Sequence, residues 1–436
     1  MDVIKRFDAK LCRFSLCNRY FAYSGSDTLF VEDISTGKSR QYKCHHTIED
    51  IAWSPDSEFI CCGQYKNGTV QIFSLCAPLW RFNLESGQDS IADGIWSPDS
   101  RHFLTTAQFM EYITIWSLVN KTACYIQLLK PIAHPAIKFS PDGKYLALLE
   151  AEGTEDFLSV FHSSSWEKLC TFKCSKYINS SGGLAWCPDS EKICVWDSQL
   201  NCCRILVCKV SSQSVIASYA EPTINKPAGI HSASWSPSGQ LLLLASYDNK
   251  IRVLNNITWT SISEFDCGQR VTGRDNFIYT QVISKPSPMV SSNSTHIKAS
   301  FKIVEDRPVS IKSGMKKFGY DLKWCHNGKY LAVFNFRFDH AVRIWNMENL
   351  SLHSMILLDF PISDFKWSPV YHRLVLCFEK PVITVWTEDN VQSVSIPFLS
   401  KKGNLKLKTV EWQPRSGSYF ALCSDAETVL VNSAIF

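Results

Sequence analysis

One short phrase returns nine times along the chain, and a chain that repeats at a steady period has few folds open to it. The phrase is an aromatic residue, then Ser or Cys, then commonly Pro-Asp and Ser or Gly, then two apolar residues. It opens at Trp53 (W-S-P-D-S-E-F-I), Trp96 (W-S-P-D-S-R-H-F-L), Phe139 (F-S-P-D-G-K-Y-L-A), Trp186 (W-C-P-D-S), Trp235 (W-S-P-S-G) and Trp324 (W-C-H-N-G-K-Y-L-A). Weaker copies open at Phe14 (F-S-L-C-N-R-Y-F-A), Trp367 (W-S-P-V-Y) and Trp412 (W-Q-P-R-S-G). Successive copies lie 39, 43, 43, 47, 49, 89, 43 and 45 residues apart. A four-stranded repeat spans about 40–45 residues, so only the interval of 89 departs from the period.

The phrase has a local physical meaning. The aromatic ends one strand and fills space between neighbouring repeats. Pro then fixes φ, and Asp, Ser or Gly supplies a local hydrogen bond or a positive φ, which makes a turn. A strand follows at once, as in Lys144-Tyr-Leu-Ala-Leu-Leu-Glu150. A second turn leads into a third strand, for instance Tyr247-Asp-Asn-Lys250 into Ile251-Arg-Val-Leu254, with the alternation of a half-buried strand. Copies of this third strand end in Trp116, Trp345 and Trp386. A fourth strand closes each unit, as in Trp259-Thr-Ser-Ile-Ser-Glu-Phe265.

Four strands per repeat, nine times, predict an all-β propeller of nine four-stranded blades in one closed ring, with residues 1–436 forming a single domain. Seven blades with two appended is the alternative. The last repeat lacks a fourth strand, and the strand-like run at residues 2–7 is placed to supply it and to remove an exposed edge. Residues 266–317 form an insertion between blades six and seven. Its middle, 284–296, reads as a loop. The flanking runs Phe277–Ile283 and 297–304 either pair as an extra hairpin or belong to a disordered insertion. Trp53, Trp96, Trp186, Trp235, Trp324, Trp367 and Trp412 are the structural aromatics, and the first four are expected to be largely buried between blades.

Eighteen cysteines in a small secreted domain would signal disulfides. Here residues 1–10 carry no apolar signal segment, and many of the cysteines lie in strand-like runs, so reduced, buried thiols are expected. No apolar run of 18 residues occurs, so no spanning helix is expected. A net charge of +4 does not mark the whole chain as a nucleic-acid binder.

No phosphate-binding loop, dinucleotide fingerprint, H-E-x-x-H, nucleophile elbow or kinase signature is present. Cys44-His45-His46 is the densest set of metal-ligand residue types, and its place beside a strand favours a solvated loop. Acidic pairs at Glu155-Asp156 and Glu305-Asp306 read as surface turns. No catalytic residue, cofactor, metal or small-molecule substrate is therefore expected. Two basic stretches remain: Lys312, Lys316 and Lys317 end the insertion, and Lys401, Lys402, Lys406 and Lys408 precede the last repeat. Both lie between the fourth strand of one blade and the first of the next, connections that share one face in a propeller. They are read as solvated lysines or as a basic face for an acidic helical partner, with Lys312, Lys316, Lys317, Lys401 and Lys402 the candidate partner-binding residues. Nucleic acid is disfavoured because interleaved aromatics are missing.

The repeat resembles that of the WD-repeat class, although Trp-Asp occurs only at Trp196-Asp197, on another strand, and the Gly-His dipeptide is absent. Over nearly its whole length the chain resembles the WD-repeat protein 8 family. The likeness is carried by Phe139-Ser-Pro-Asp-Gly-Lys-Tyr-Leu-Ala147, by Ile193-Cys-Val-Trp-Asp197 followed by Ile205-Leu206, and by Ser234-Trp-Ser-Pro-Ser238 through Asn255 to Phe265, with the insertion that follows. The resemblance implies a non-catalytic scaffold of the cytoplasm and cytoskeleton, at centrosomes, basal bodies or spindle poles. Its expected work is microtubule anchoring, spindle organisation and cilium assembly. A coiled-coil microtubule-anchoring protein is the implied partner, joined in fungi by a kinesin-14 motor. The alternatives from other classes are an RNA- or ribosome-associated propeller of the translation-factor kind, and a hydrolase with its site in the channel.

Overall fold

The computed structural model describes residues 3–435 apart from 86, 88–89, 108–111, 129–135, 179–180, 198, 222–227, 272–276, 284–298, 305–308, 311–318 and 397–405. The described chain is almost wholly β, and no described helix is long and apolar enough to cross a membrane. Its fold is of the β-propeller kind, with nine blades built on four-stranded antiparallel sheets. The blades occupy residues 11–43, 50–85, 91–127, 137–173, 181–220, 230–266, 320–357, 362–395 and 407–432. In the last blade the fourth strand is Val3–Phe7, which pairs antiparallel with Thr428–Asn432.

The Ser-Pro-Asp-Ser/Gly phrase builds the same turn each time. Ser54 Oγ accepts from the Phe59 amide and donates to Asp56, and Ser97 and Ser140 accept in the same way from the amides of His102 and Tyr145. The fourth residue of the phrase is left-handed, with φ of 65° at Ser57, 61° at Ser100, 60° at Ser190 and 75° at Gly143. The choice between Ser and Gly there follows from the preceding blade. Ser100 Oγ accepts from the Asp56 amide at 3.0 Å, and Ser190 Oγ from the Asp142 amide at 2.9 Å. At Gly143 a Cβ would sit 2.7 Å from Pro98 Cβ, so this position has no room for a side chain.

Burial follows strand order. Second strands such as Tyr330–Asn335 and Leu374–Phe378 are buried along their whole length. Outer strands such as Ser39–Lys43 are mostly exposed. A strand covered on both faces reads as a continuous apolar run, which is why the middle strands carry Leu-Leu-Leu-Leu at 241–244 and Leu-Val-Leu-Cys-Phe at 374–378.

The blades fall into two compact units, residues 44–267 and residues 1–43 with 268–436. In the first unit, blades two to six pack in chain order. Their apolar clusters each draw on two consecutive blades, such as Leu158, Phe172, Leu184 and Trp186 from blades four and five. The core of this unit therefore lies in slabs between sheets. In the second unit, blades seven, eight and nine pack in succession, and blade nine packs on blade one through Phe7, Cys12, Phe14, Phe21, Ala421 and Cys423.

Blade seven is enlarged. Phe277–Ile283 lies parallel to its outer strand Ser351–Leu357 and antiparallel to Ala299–Val304, giving a six-stranded sheet. The two flanking runs of the insertion are thus a hairpin that covers a sheet edge. Arg270–Val271 pairs with Val309–Ser310 at its base. The middle of the insertion, 284–298, lies outside the described residues.

Candidate interaction surface

The structural aromatics do more than fill space. Trp96 Nε1 donates to the Ala52 carbonyl at 3.2 Å, Trp186 to Lys138 at 2.9 Å and Trp235 to Ala185 at 3.2 Å. In the second unit Trp367 donates to Lys323 at 2.7 Å and Trp412 to Lys366 at 3.2 Å. In all five cases the acceptor is the residue just before the aromatic of the preceding blade. One indole thus ties two first strands together, and the repeat period is also a hydrogen-bond period. Trp53, Trp186, Trp235, Trp367 and Trp412 are buried. Trp96 and Trp324 are only half-buried. Trp96 still packs between blades two and three: its ring leans on Phe59 and Phe103, with centroids at 6.4 and 5.2 Å.

On this scaffold, turns and loops carry the chemistry available to partners. Lys312, Lys316, Lys317, Lys401 and Lys402 lie outside the described residues. Their neighbours Lys406 and Lys408 are described, and each is paired: Lys406 with Glu379, and Lys408 with Asp425. Both pairs are exposed, so they are worth little to stability and stay open to exchange for a partner's charges. Between blades eight and nine, Pro361, Ile362, Ser363, Glu379, Lys406, Leu407 and Lys408 line a cleft of about 300 Å³. Its lining mixes apolar Pro361, Ile362 and Leu407 with charged Glu379, Lys406 and Lys408.

Cys44-His45-His46 forms a tethered loop. Cys44 is buried, both histidines are exposed, the His45 amide donates to Gln71 at 2.8 Å, and Gln64 donates to the His46 carbonyl at 3.0 Å. Among the described residues no group of three His, Cys, Asp or Glu side chains is placed to hold a metal ion.

Two clusters escaped the sequence. Arg252, 3% exposed, meets Glu221 at 3.2 Å and Asp248 at 2.8 Å on the third strand of blade six. Burial works against its charge, but Asp248 and the other acidic neighbours outweigh burial and raise its pKa. In blades seven and eight, His326 stacks on His372 at 5.0 Å, beside Tyr330, His353 and Trp386. Burial, then the facing His372, lowers the His326 pKa, so His326 favours the neutral form.

With this geometry in view, the comparisons decide the family. A family model for the WD domain, G-beta repeat, matches residues 37–74, and one for the anaphase-promoting complex subunit 4 WD40 domain matches residues 184–279. The WD repeat-containing protein WRAP73 of Mus musculus is 30% identical over 439 residues, covering 95% of this chain and 91% of that protein. The chain belongs to the WD-repeat protein family. An uncharacterized WD repeat-containing protein of Schizosaccharomyces pombe is 27% identical over 157 residues, covering 34% of this chain and 31% of its own. Among solved structures, the C-terminal WD40 domain of Sif2 aligns with a TM-score of 0.54 at 12% identity, covering 99% of this chain and 97% of that one, a likeness of fold alone. In this WD-repeat protein the Ser-Pro-Asp turn and the indole bond recur from blade to blade.

Proposed function

We propose that this WD-repeat protein is a non-catalytic scaffold that assembles a protein complex at centrosomes, basal bodies or spindle poles, and there serves microtubule anchoring, spindle organisation and cilium assembly. The observation that carries the reading is the end-to-end kinship with WRAP73, 30% identical over 95% of the chain, which joins the order of motifs that resembles the WD-repeat protein 8 family. The architecture is consistent with it. Within each unit indole bonds tie neighbouring blades together, and supports of this kind present binding residues on their loops. The partner proposed is a coiled-coil microtubule-anchoring protein, with a kinesin-14 motor as a further member of the complex. Basic connections at Lys312 to Lys317 and at Lys401 and Lys402 suit an acidic helix.

The test is affinity purification of the tagged full chain from dividing cells, followed by mass spectrometry. Enrichment of coiled-coil microtubule-anchoring proteins, without ribosomal proteins, supports the reading. Ribosomal proteins and translation factors as the main stoichiometric partners would favour the translation-factor reading instead.

A further inference from the structure

The chain's beginning and end meet where blade one packs on blade nine, and two thiols face each other there. Cys12 lies on the first strand of blade one, Leu11–Phe14, and Cys423 on the second strand of blade nine, Tyr419–Ser424. Their Sγ atoms are 3.0 Å apart, across a sequence separation of 411 residues. The side chains are 1% and 3% exposed and belong to one apolar cluster with Phe7, Phe14 and Phe21. The rest of this seam is held without covalent bonds: Thr428 Oγ1 donates to the Ala9 carbonyl at 2.9 Å, and Gln413 Nε2 to the Asn18 carbonyl at 2.8 Å.

We propose that Cys12 and Cys423 are a modification site, converted by a peroxide-class oxidant into a disulfide that fastens the first blade to the last.

The two sulfurs are not equivalent. The thiol–thiol hydrogen bond from Cys12, helped by Thr409 and opposed by burial, brings Cys423 down to about 7. The same contact, together with burial, pushes Cys12 up. Elsewhere burial raises cysteines, Cys61 up to about 12 and Cys187 up to about 11. Cys423 is therefore the nucleophile and Cys12 the resolving thiol. The Cys423 thiolate attacks one oxygen of hydrogen peroxide. The O–O bond breaks, Cys423 becomes a sulfenic acid, and the departing hydroxide takes a proton to leave as water. The Cys12 sulfur then attacks the sulfenic sulfur. The S–O bond breaks, and the second hydroxide carries off the Cys12 proton as water. Two thiols have lost two electrons, and one peroxide has become two waters.

At 1% and 3% exposure the sulfurs are reached through local opening of the seam. The consequence is mechanical: a link across 411 residues constrains the unfolded chain, and that constraint grows with loop length.

The experiment uses the reduced full chain, treated with hydrogen peroxide, alkylated, digested and mapped without reductant, with melting followed in parallel. The proposal expects a cross-linked peptide joining residues 12 and 423 as the first disulfide formed. It also expects a melting temperature raised by a few degrees and restored by dithiothreitol. Cys12→Ala and Cys423→Ala should each lose the peroxide-induced rise. Independent alkylation of both residues in the wild-type map, or earlier formation of other disulfides, overturns the proposal whether or not the variants fold. So does a rise that persists in either variant.

Discussion

Replacing Trp235 with Phe removes one hydrogen-bond donor from the seam between blades five and six while keeping an aromatic ring. The indole of Trp235 and its acceptor residue Ala185 are 7% and 8% exposed, and both belong to one apolar cluster with Leu242, Leu244 and Leu254. In the Phe variant the Ala185 carbonyl loses its indole partner in a buried setting, which costs about 1–3 kcal/mol. Trp235→Ala removes the ring as well, including its edge-on contact with Trp259 at 6.0 Å, and belongs with buried aromatic truncations that cost about 3–5 kcal/mol. Because a chain of many blades need not unfold in one step, a single midpoint is a blunt readout, and amide hydrogen exchange is the better assay. Protection should fall in Ser181–Trp186 and Ile230–Trp235, the two strands that the indole joins, and stay unchanged in His102–Ala107 of blade three. If Trp235→Phe exchanges like the wild type in both strands, the indole bond does not hold the seam. If protection falls equally in blade three, the effect is not local and the seam argument fails as well.

Deleting residues 1–7 strips Val3–Phe7 from Thr428–Asn432, and the truncated protein is expected to aggregate at the exposed edge; a monomer with an unchanged melting temperature would contradict this. At Asp56, Asp99, Asp142 and Asp189 burial pushes the carboxyl up, but serine or cysteine side chains, backbone amides and basic neighbours outweigh it and hold each below the usual carboxylate range. With folded values depressed, their contribution is full above the unfolded pKa of about 4 and drains as pH falls through the folded values. Asp56→Asn should therefore make the acid-side drop in melting temperature shallower, and an identical drop would exclude this role for Asp56. Reversing Lys316, Lys317, Lys401 and Lys402 to Glu should slow partner association and flatten its salt dependence with melting unchanged, whereas recruitment at the wild-type rate would make those lysines mere solvated surface.

What could be read from the sequence was local. The Ser-Pro-Asp-Ser turn is dictated within six residues by Pro, a hydroxyl and a left-handed position, so the turns and the strands beside them could be placed one by one. What could not be read depends on partners far along the chain. The indole acceptor is a backbone carbonyl one blade back, and a backbone carbonyl has no residue signature. Phe139 occupies the same place with no N–H to donate, so the aromatic phrase alone does not announce the bond. Parallel docking of Phe277–Ile283 on Ser351–Leu357 joins segments separated by an entire sheet, and only tertiary packing selects that edge. The facing of Cys12 and Cys423 depends on how the first and last blades meet, which no spacing of cysteines encodes. The cleft beside Lys406 and Lys408 draws Glu379 from a turn inside blade eight and the two lysines from the start of blade nine, residues that only tertiary packing brings together.

Localisation tests the central claim most directly. The full chain, fluorescently tagged at its own locus, should form paired foci at the poles of mitotic spindles, coincident with a γ-tubulin marker and persisting after microtubules are depolymerised. A diffuse cytoplasmic signal with no enrichment at the poles, or co-migration of the protein with polysomes, would contradict the account.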